Sequence, residues 1–174
     1  GTLLVMGDYY QAETVLLEAL ELSKKKVEYE PILLIIVDNL GTLYYELGQY
    51  DQAESRFLQA LKKRKKTYGP EDEELAVSYN FLAMLYEEKG RADDAINLYS
   101  QALEIRQEAL GEDHPDYAVS LNNLAAYYTN RGYYEDALPL FLQAASVLKS
   151  DISQKANYSA TLNAMGVVYQ RLGD

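Results

Sequence analysis

The residues of this chain best suited to chemistry with another molecule are carboxamides at a fixed interval. Ten residues before Gly48, Gly90, Gly132 and Gly173 stand Asp38, Asn80, Asn122 and Asn163. Nine before the same glycines stand Asn39, Phe81, Asn123 and Ala164. A carboxamide carries two N–H donors and an acceptor oxygen, which suits it to hold the backbone of an extended peptide. Asparagine is a poor former of helix interiors, so a column of it within a helical pattern calls for a reason. The other reading is that these amides satisfy neighbouring helix ends or solvent.

Catalysis finds less support. The single histidine, His114, cannot build a multi-histidine metal site, and its place beside Pro115 reads as a loop imidazole. Carboxylate pairs such as Asp93–Asp94 crowd the start of a helical pattern, where they favour the positive end of the helix dipole. The chain has no cysteine, which removes disulfides, thiolate metal sites and a cysteine nucleophile. Glycines never cluster into a phosphate-cradling loop. No enzymatic activity, metal or cofactor is expected.

The elements that position the amides are set by a repeat. Gly7, Gly48, Gly90, Gly132 and Gly173 are spaced by 41, 42, 42 and 41 residues. Five residues after the first four come Ala12, Ala53, Ala95 and Ala137, and seven further on Ala19, Ala60, Ala102 and Ala144. Such self-similarity is the mark of a stacked array whose units share one continuous core. Around Gly90, Tyr79, Leu82, Ala83 and Tyr86 recur at helical steps, as do Ala95, Leu98, Tyr99, Ala102 and Leu103. The unit is therefore a helix, a tight turn and a second helix. Small residues seven before the glycines (Gly41, Ala83, Ala125, Gly166) let helix axes approach, and Phe57, Tyr99 and Phe141 fill the space between layers.

Charge narrows the partners. The net charge is −11 and the pI about 4.6, so phosphate backbones and anionic lipid are repelled. Neither nucleic acid nor a membrane is the expected partner, and a cytoplasmic setting fits the absence of cysteine. The longest apolar stretch, Ile32 to Val37, is too short to cross a bilayer. Two basic runs oppose the average, Lys24–Lys26 and Lys62–Lys66. They read either as cations complementing helix C-termini or as a strip for an acidic partner.

The pattern resembles the tetratricopeptide repeat (TPR) family, which places a small residue, an aromatic, an inter-helix glycine and two alanines flanking an aromatic. The segments Gly41…Tyr44…Gly48…Ala53…Phe57…Ala60 and Ala125…Tyr128…Gly132…Ala137…Phe141…Ala144 match it. The unit of about 42 residues exceeds the usual 34. The loops Gly69–Glu73 and Gly111–Asp116, with Leu121-Asn122-Asn123-Leu124-Ala125, are similar to the 42-residue repeats of kinesin light chains.

The resemblance implies an all-α fold, a right-handed superhelical solenoid of antiparallel helix pairs. One array is expected over 1–174: a partial repeat 1–30, repeats 31–72, 73–114 and 115–154, and a half repeat 155–174. Gly1–Met6 would end an incomplete first helix that turns at Gly7, and the sequence would be a fragment of a longer array. First helices would line a concave groove for an extended peptide or partner helix. Its contacts would be Asn39, Tyr45, Asn80, Phe81, Met84, Asn122, Asn123 and Asn163, with Thr42, Glu87, Glu88, Ala126, Thr129, Asn130, Val167 and Gln170 completing the lining. First helices lack Lys and Arg except near their ends (Lys89, Arg131, Arg171) and carry Asp38, Glu46, Glu73, Glu74, Glu87, Glu88 and Asp116. The groove is thus expected to favour neutral, aromatic or basic segments over acidic ones. The implied function is a protein–protein interaction scaffold. The alternatives are a structural spacer, or a regulatory sensor module of a larger protein. Leu3, Leu4 and Met6 at one end, and Leu162, Met165 and Val168 at the other, would leave apolar surface for weak head-to-tail self-association.

Overall fold

The computed structural model describes the backbone of residues 2–23, 30–149 and 151–173, and the side chains of residues 9–23, 31–149 and 151–173. Among the described residues the elements are α-helices and one 3-10 turn at Ile152–Gln154. Two compact units divide the chain. Residues 1–70 hold α1 (Thr2–Ser23), α2 (Glu30–Glu46) and α3 (Tyr50–Thr67). Residues 71–174 hold α4 (Leu75–Glu88), α5 (Ala92–Leu110), α6 (Pro115–Asn130), α7 (Tyr134–Leu148) and α8 (Lys155–Leu172).

The α4–α5 hairpin shows why the repeat folds as it does. Leu75, Tyr79, Leu82, Ala83 and Tyr86 are buried along one face of α4, and Ala95, Tyr99 and Ala102 along the facing side of α5. Between them Gly90 takes φ +73°, a region that L side chains rarely adopt. Its N–H bonds the Glu87 carbonyl at 3.0 Å, and the Arg91 N–H bonds the Tyr86 carbonyl at 2.8 Å. These bonds satisfy carbonyls that the end of α4 would otherwise leave unpaired. Arg91 then lies 3.8 Å over the Tyr86 ring and donates to Asp94 at 2.8 Å, which ties the turn to the start of α5. The turns at Gly48 and Gly132 repeat both backbone bonds.

Close approach decides the interior. Ala53, Ala95 and Ala137 are fully buried, as is Phe57, and Tyr99 and Phe141 are nearly so. A Cβ placed on Gly41 would strike the Phe57 ring, 2.6 Å from Cδ1 and closer still to Cε1. Burying one such side chain stabilises by roughly 1.5–3 kcal/mol, so the α2–α3 hairpin depends on this slim-against-aromatic contact. In the second unit α6 packs on α5 and α7 and also touches α4 and α8, so α4, α6 and α8 form one layer. Phe141 joins Ala125, Ala137, Ala145, Met165 and Val168 in a core spanning α6, α7 and α8. In the first unit α2 lies against both α1 and α3, and the Tyr44 hydroxyl donates to Glu13 of α1 at 2.7 Å.

The inter-repeat loops share a device. Asp72 Oδ1 accepts the Glu74 N–H at 3.0 Å. Forty-two positions later His114 Nδ1 accepts the Asp116 N–H at 3.1 Å. Asp151 Oδ1 accepts the Ser153 N–H at 2.8 Å before α8, and hydrogen bonding from Ser153 holds the Asp151 carboxyl below its usual range.

One expectation fails at the first glycine. The chain does not turn at Gly7, because α1 runs unbroken from Thr2 to Ser23. Continuing the helix through Gly7 keeps the intrahelical backbone bonds on either side of it satisfied. The basic run Lys24–Lys26 and the side chains of Leu3, Leu4 and Met6 lie outside the described residues.

Gly41 and Gly166 share a register position yet should respond oppositely to alanine. Gly166 has nothing within 4 Å of a built Cβ. Gly166→Ala should raise the thermal midpoint, by the roughly 0.5–1 kcal/mol that alanine gains over glycine within a helix. Gly41→Ala gains the same propensity but must displace a buried ring at about 1–3 kcal/mol, so its midpoint should fall. Melting both variants by circular dichroism checks the pair, and an unchanged Gly41→Ala would remove the close-approach argument.

Candidate functional site

The amide column ten before the glycines is only half-open. Asp38 is buried, and its carboxylate takes both Nη groups of Arg64 on α3, at 3.1 and 2.5 Å. It is therefore not part of an acidic groove lining: a buried carboxylate needs a charged partner, and the guanidinium fork supplies two parallel bonds. Asn80 is half-buried on α4, with Oδ1 enclosed and without a hydrogen-bond partner. Asn122 on α6 donates its amide to Thr161 Oγ1 on α8 at 2.8 Å, and its Oδ1 is likewise enclosed and unpartnered. Asn163 stands exposed on α8. Where this column meets a neighbouring helix, it pins that helix.

The positions nine and six before the glycines are more open. In the second unit Phe81 and Met84 are half-buried on α4, Asn123 is half-buried and Ala126 exposed on α6. Ala164 is half-buried and Val167 is 48% exposed on α8. Asn122, Asn123 and Ala126 face Ala160, Thr161 and Ala164 across a cleft of about 230 Å³ floored by Phe141. Its walls are small residues with one accessible amide, which leaves room for a ligand side chain and a group to bond its backbone. Asn130 donates to Glu87 at 3.0 Å between α6 and α4, which takes up one of the expected lining carboxylates. Thr129 returns its hydroxyl to the Ala125 carbonyl at 2.8 Å. Glu88 and Gln170 are exposed.

In the first unit Asn39 is exposed and borders a shallow cleft of about 530 Å³ with Gln11, Ala12, Val15 and Leu16 of α1. Tyr45 is half-buried, its ring 5.8 Å from that of Tyr50, so one face is already occupied. Thr42 gives its hydroxyl to the Asp38 carbonyl at 3.0 Å.

Charge near the second unit's loops is held by Arg106. This buried guanidinium donates to the Asp116 carbonyl at 2.9 Å and to Ser120 Oγ at 3.1 Å, tying α5 to α6. Burial lowers its pKa, while Asp116, Glu73 and Glu74 act in the opposite sense. Glu73 is pushed above its ordinary value by partial desolvation, then by Glu74 and Asp116, against the pull of Arg106.

Counting back from the glycines at nine and ten does not single out Ala160 or Thr161. The signal lies twelve back, where Ser78, Ser120 and Thr161 form a column of small buried hydroxyls. Arg64 and Arg106, 42 residues apart, were equally visible as a repeated cation within the second helices. Among the described residues no group of three or more His, Asp or Glu could hold a metal, and no helix is long and apolar enough to cross a membrane.

Hairpins of this kind, a glycine turn between a small-residue first helix and an alanine–aromatic–alanine second helix, define the helical-repeat scaffolds. The sequence profile of the tetratricopeptide repeat matches residues 1–66, 31–108 and 74–150, and the chain belongs to that family. Its fold is all-α, and the solved structures it is similar to include kinesin-light-chain-like repeat proteins. The structure of BtubC (BKLC) from P. vanneervenii superposes with a TM-score of 0.78 at 28% identity, over 97% of this chain and 68% of that one. A Podosopora anserina protein, described as a kinesin light chain with nearly identical TPR-like repeats, superposes at 0.68 with 25% identity, over 96% of this chain and 80% of that one. A form of that protein with a single glutamine-to-methionine replacement superposes at 0.70 with 24% identity over the same shares. No curated protein sequence matches the chain. TPR arrays are non-catalytic scaffolds that generally mediate protein–protein interaction.

His114, the one histidine, acts here as the N-cap of α6, with Pro115 in the first turn. His114→Ala should destabilise by about 1 kcal/mol, the usual worth of a lost cap, while His114→Asn keeps an acceptor and should melt near wild type. Equal melting of all three proteins would show the cap to be idle.

Proposed function

We propose that the inner layer of first helices binds an extended peptide or a partner helix. The observation that carries this reading is the cleft between α6 and α8, walled by Asn123, Ala126, Ala160 and Ala164 over Phe141. Phe81 and Met84 on α4 extend the same layer with apolar surface. Ligand side chains would be buried against these residues, while Asn123 offers an amide to the ligand backbone; within the first unit Asn39 offers one beside its own cleft. Asn80 and Asn122 support the lining from behind, and Asn163 and Tyr45 contribute at the margins of their units. The protein is a binding scaffold in this reading, not an enzyme, and uses no cofactor. The lining helices expose Glu46 and Glu88 and hold cations only near their ends, so neutral, aromatic or basic segments are favoured over acidic ones. Net charge disfavours nucleic acid and membrane, and the absence of cysteine suits the cytoplasm.

The test is a peptide-array screen against the whole chain, followed by titration of the best neutral or basic binder. Phe81→Ala with Asn123→Ala should weaken that binder about tenfold while the melting midpoint moves by only a few degrees. Tight binding of acidic peptides alone, or a double variant that binds like wild type, would sink the groove reading.

A second reading has its own support. The described face of α1 exposes Tyr10, Val15 and Leu22 and carries acidic but no basic residues, whereas α8 exposes Leu162, Val167 and Leu172 and carries Lys155 and Arg171 but no acids. Copies could thus associate head to tail through opposite charge and apolar contact. Sedimentation velocity over a hundredfold concentration range should then show a growing mean mass that Val15→Glu abolishes. A constant monomer mass would dismiss this association.

A further inference from the structure

The last turns of α3 carry four lysines where the equivalent turns of α5 carry none. Lys62, Lys65 and Lys66 are exposed and Lys63 is half-buried, while Arg64 between them turns inward to Asp38. At 100° per residue the four lysines fan across an arc of about 160° on the side opposite Arg64. The same register on α5 is a built-in control. Lys62, Lys63, Arg64, Lys65 and Lys66 correspond there to Glu104, Ile105, Arg106, Gln107 and Glu108. Only the central arginine is shared, and in both helices it is the buried one. The last turn of α5 has no basic residue, yet α5 is the longer of the two helices. Complementing the helix dipole therefore does not account for the cations on α3. Lys62 and Lys66, four residues apart, also repel one another by roughly 0.2–0.5 kcal/mol.

The lysines concentrate charge in an otherwise acidic molecule. Residues 1–70 hold nine Lys and Arg against ten Asp and Glu, a net of −1, whereas residues 71–174 hold seven against seventeen, a net of −10. Leu58, 45% exposed, stands one turn before Lys62 on the same stripe, and Tyr68, 38% exposed, caps the helix end. The stripe is thus an aliphatic side chain, then cations, then an aromatic edge.

We propose that this stripe of α3 docks an acidic segment of a partner protein, one with an apolar residue beside a short run of Asp or Glu. The cationic stretch covers only about 6 Å of helix axis, enough for a few carboxylates. Duplex DNA places a phosphate charge every 1.7 Å or so over a far longer path, and the rest of this chain repels such a polyanion. The preference is opposite to that of the inner layer, so the two surfaces can hold different partners.

The experiment uses the whole chain and a fluorescent peptide carrying a leucine followed by four glutamates. Lys62→Glu with Lys66→Glu gives α3 the residues that α5 carries at those positions, so folding and melting should be retained. Wild type should bind the peptide with an affinity that falls as salt rises, and the double variant should lose about tenfold or more. Phe81→Ala should bind the acidic peptide like wild type, which separates this surface from the groove. A single-stranded oligonucleotide and phosphatidylserine vesicles serve as competing probes. No peptide binding, equal binding by the double variant, weakening by Phe81→Ala, or preference for oligonucleotide or vesicle would each overturn the proposal.

Discussion

Two helix axes can approach only as closely as the side chains between them allow, and here that limit is set by one recurring contact. A slim residue seven before the turn glycine faces the aromatic ring of the second helix. At Gly41 even a methyl group has no room against Phe57, whereas Gly166 faces open space. The flanking alanines and the hydroxyls of Ser78, Ser120 and Thr161 are buried as well. Packed interiors do not deform smoothly, so a change at this contact displaces a ring and whatever leans on it.

Polar groups drawn into the stack by that packing are each satisfied differently. The first repeat buries a full ion pair, Asp38 with Arg64. The next keeps the arginine but directs it to a carbonyl and a serine hydroxyl on the following helix. The third uses a neutral bond from Asn122 to Thr161, and Leu148 stands where the arginines stood. An ion pair must find strong geometry to offset its desolvation, so the neutral Asn122–Thr161 bond of the third repeat relaxes that demand without altering the hairpin. The enclosed oxygens of Asn80 and Asn122 are what the simpler arrangement leaves unpaired.

The surface is sorted by the same rhythm. Positions nine and six before the glycines are half-buried or exposed, and they are mainly apolar or amide. The solvent side of α3 is cationic, in a chain whose second unit is strongly acidic. A repeat scaffold can hold unlike surfaces in this way because each unit's fold depends on its neighbours and not on its outward residues.

Helices, turns and hairpin pairing were legible from α2 onward, because glycine, alanine and aromatic positions recur at a fixed interval and each has a steric meaning. The interval also marked the family. The sequence could not show that α1 would pass through Gly7 unbroken, since glycine is tolerated inside a helix as well as in a turn. Nor could it separate Asn122 from Asn123. Adjacent helical positions point about 100° apart, and which one meets a neighbour is fixed by packing in three dimensions. Sequence periodicity determined which faces are buried within a hairpin. Tertiary structure alone decided which amides are consumed as pins, which stay exposed, and that Asp38 is an internal counter-ion, because those outcomes depend on what stands across the gap.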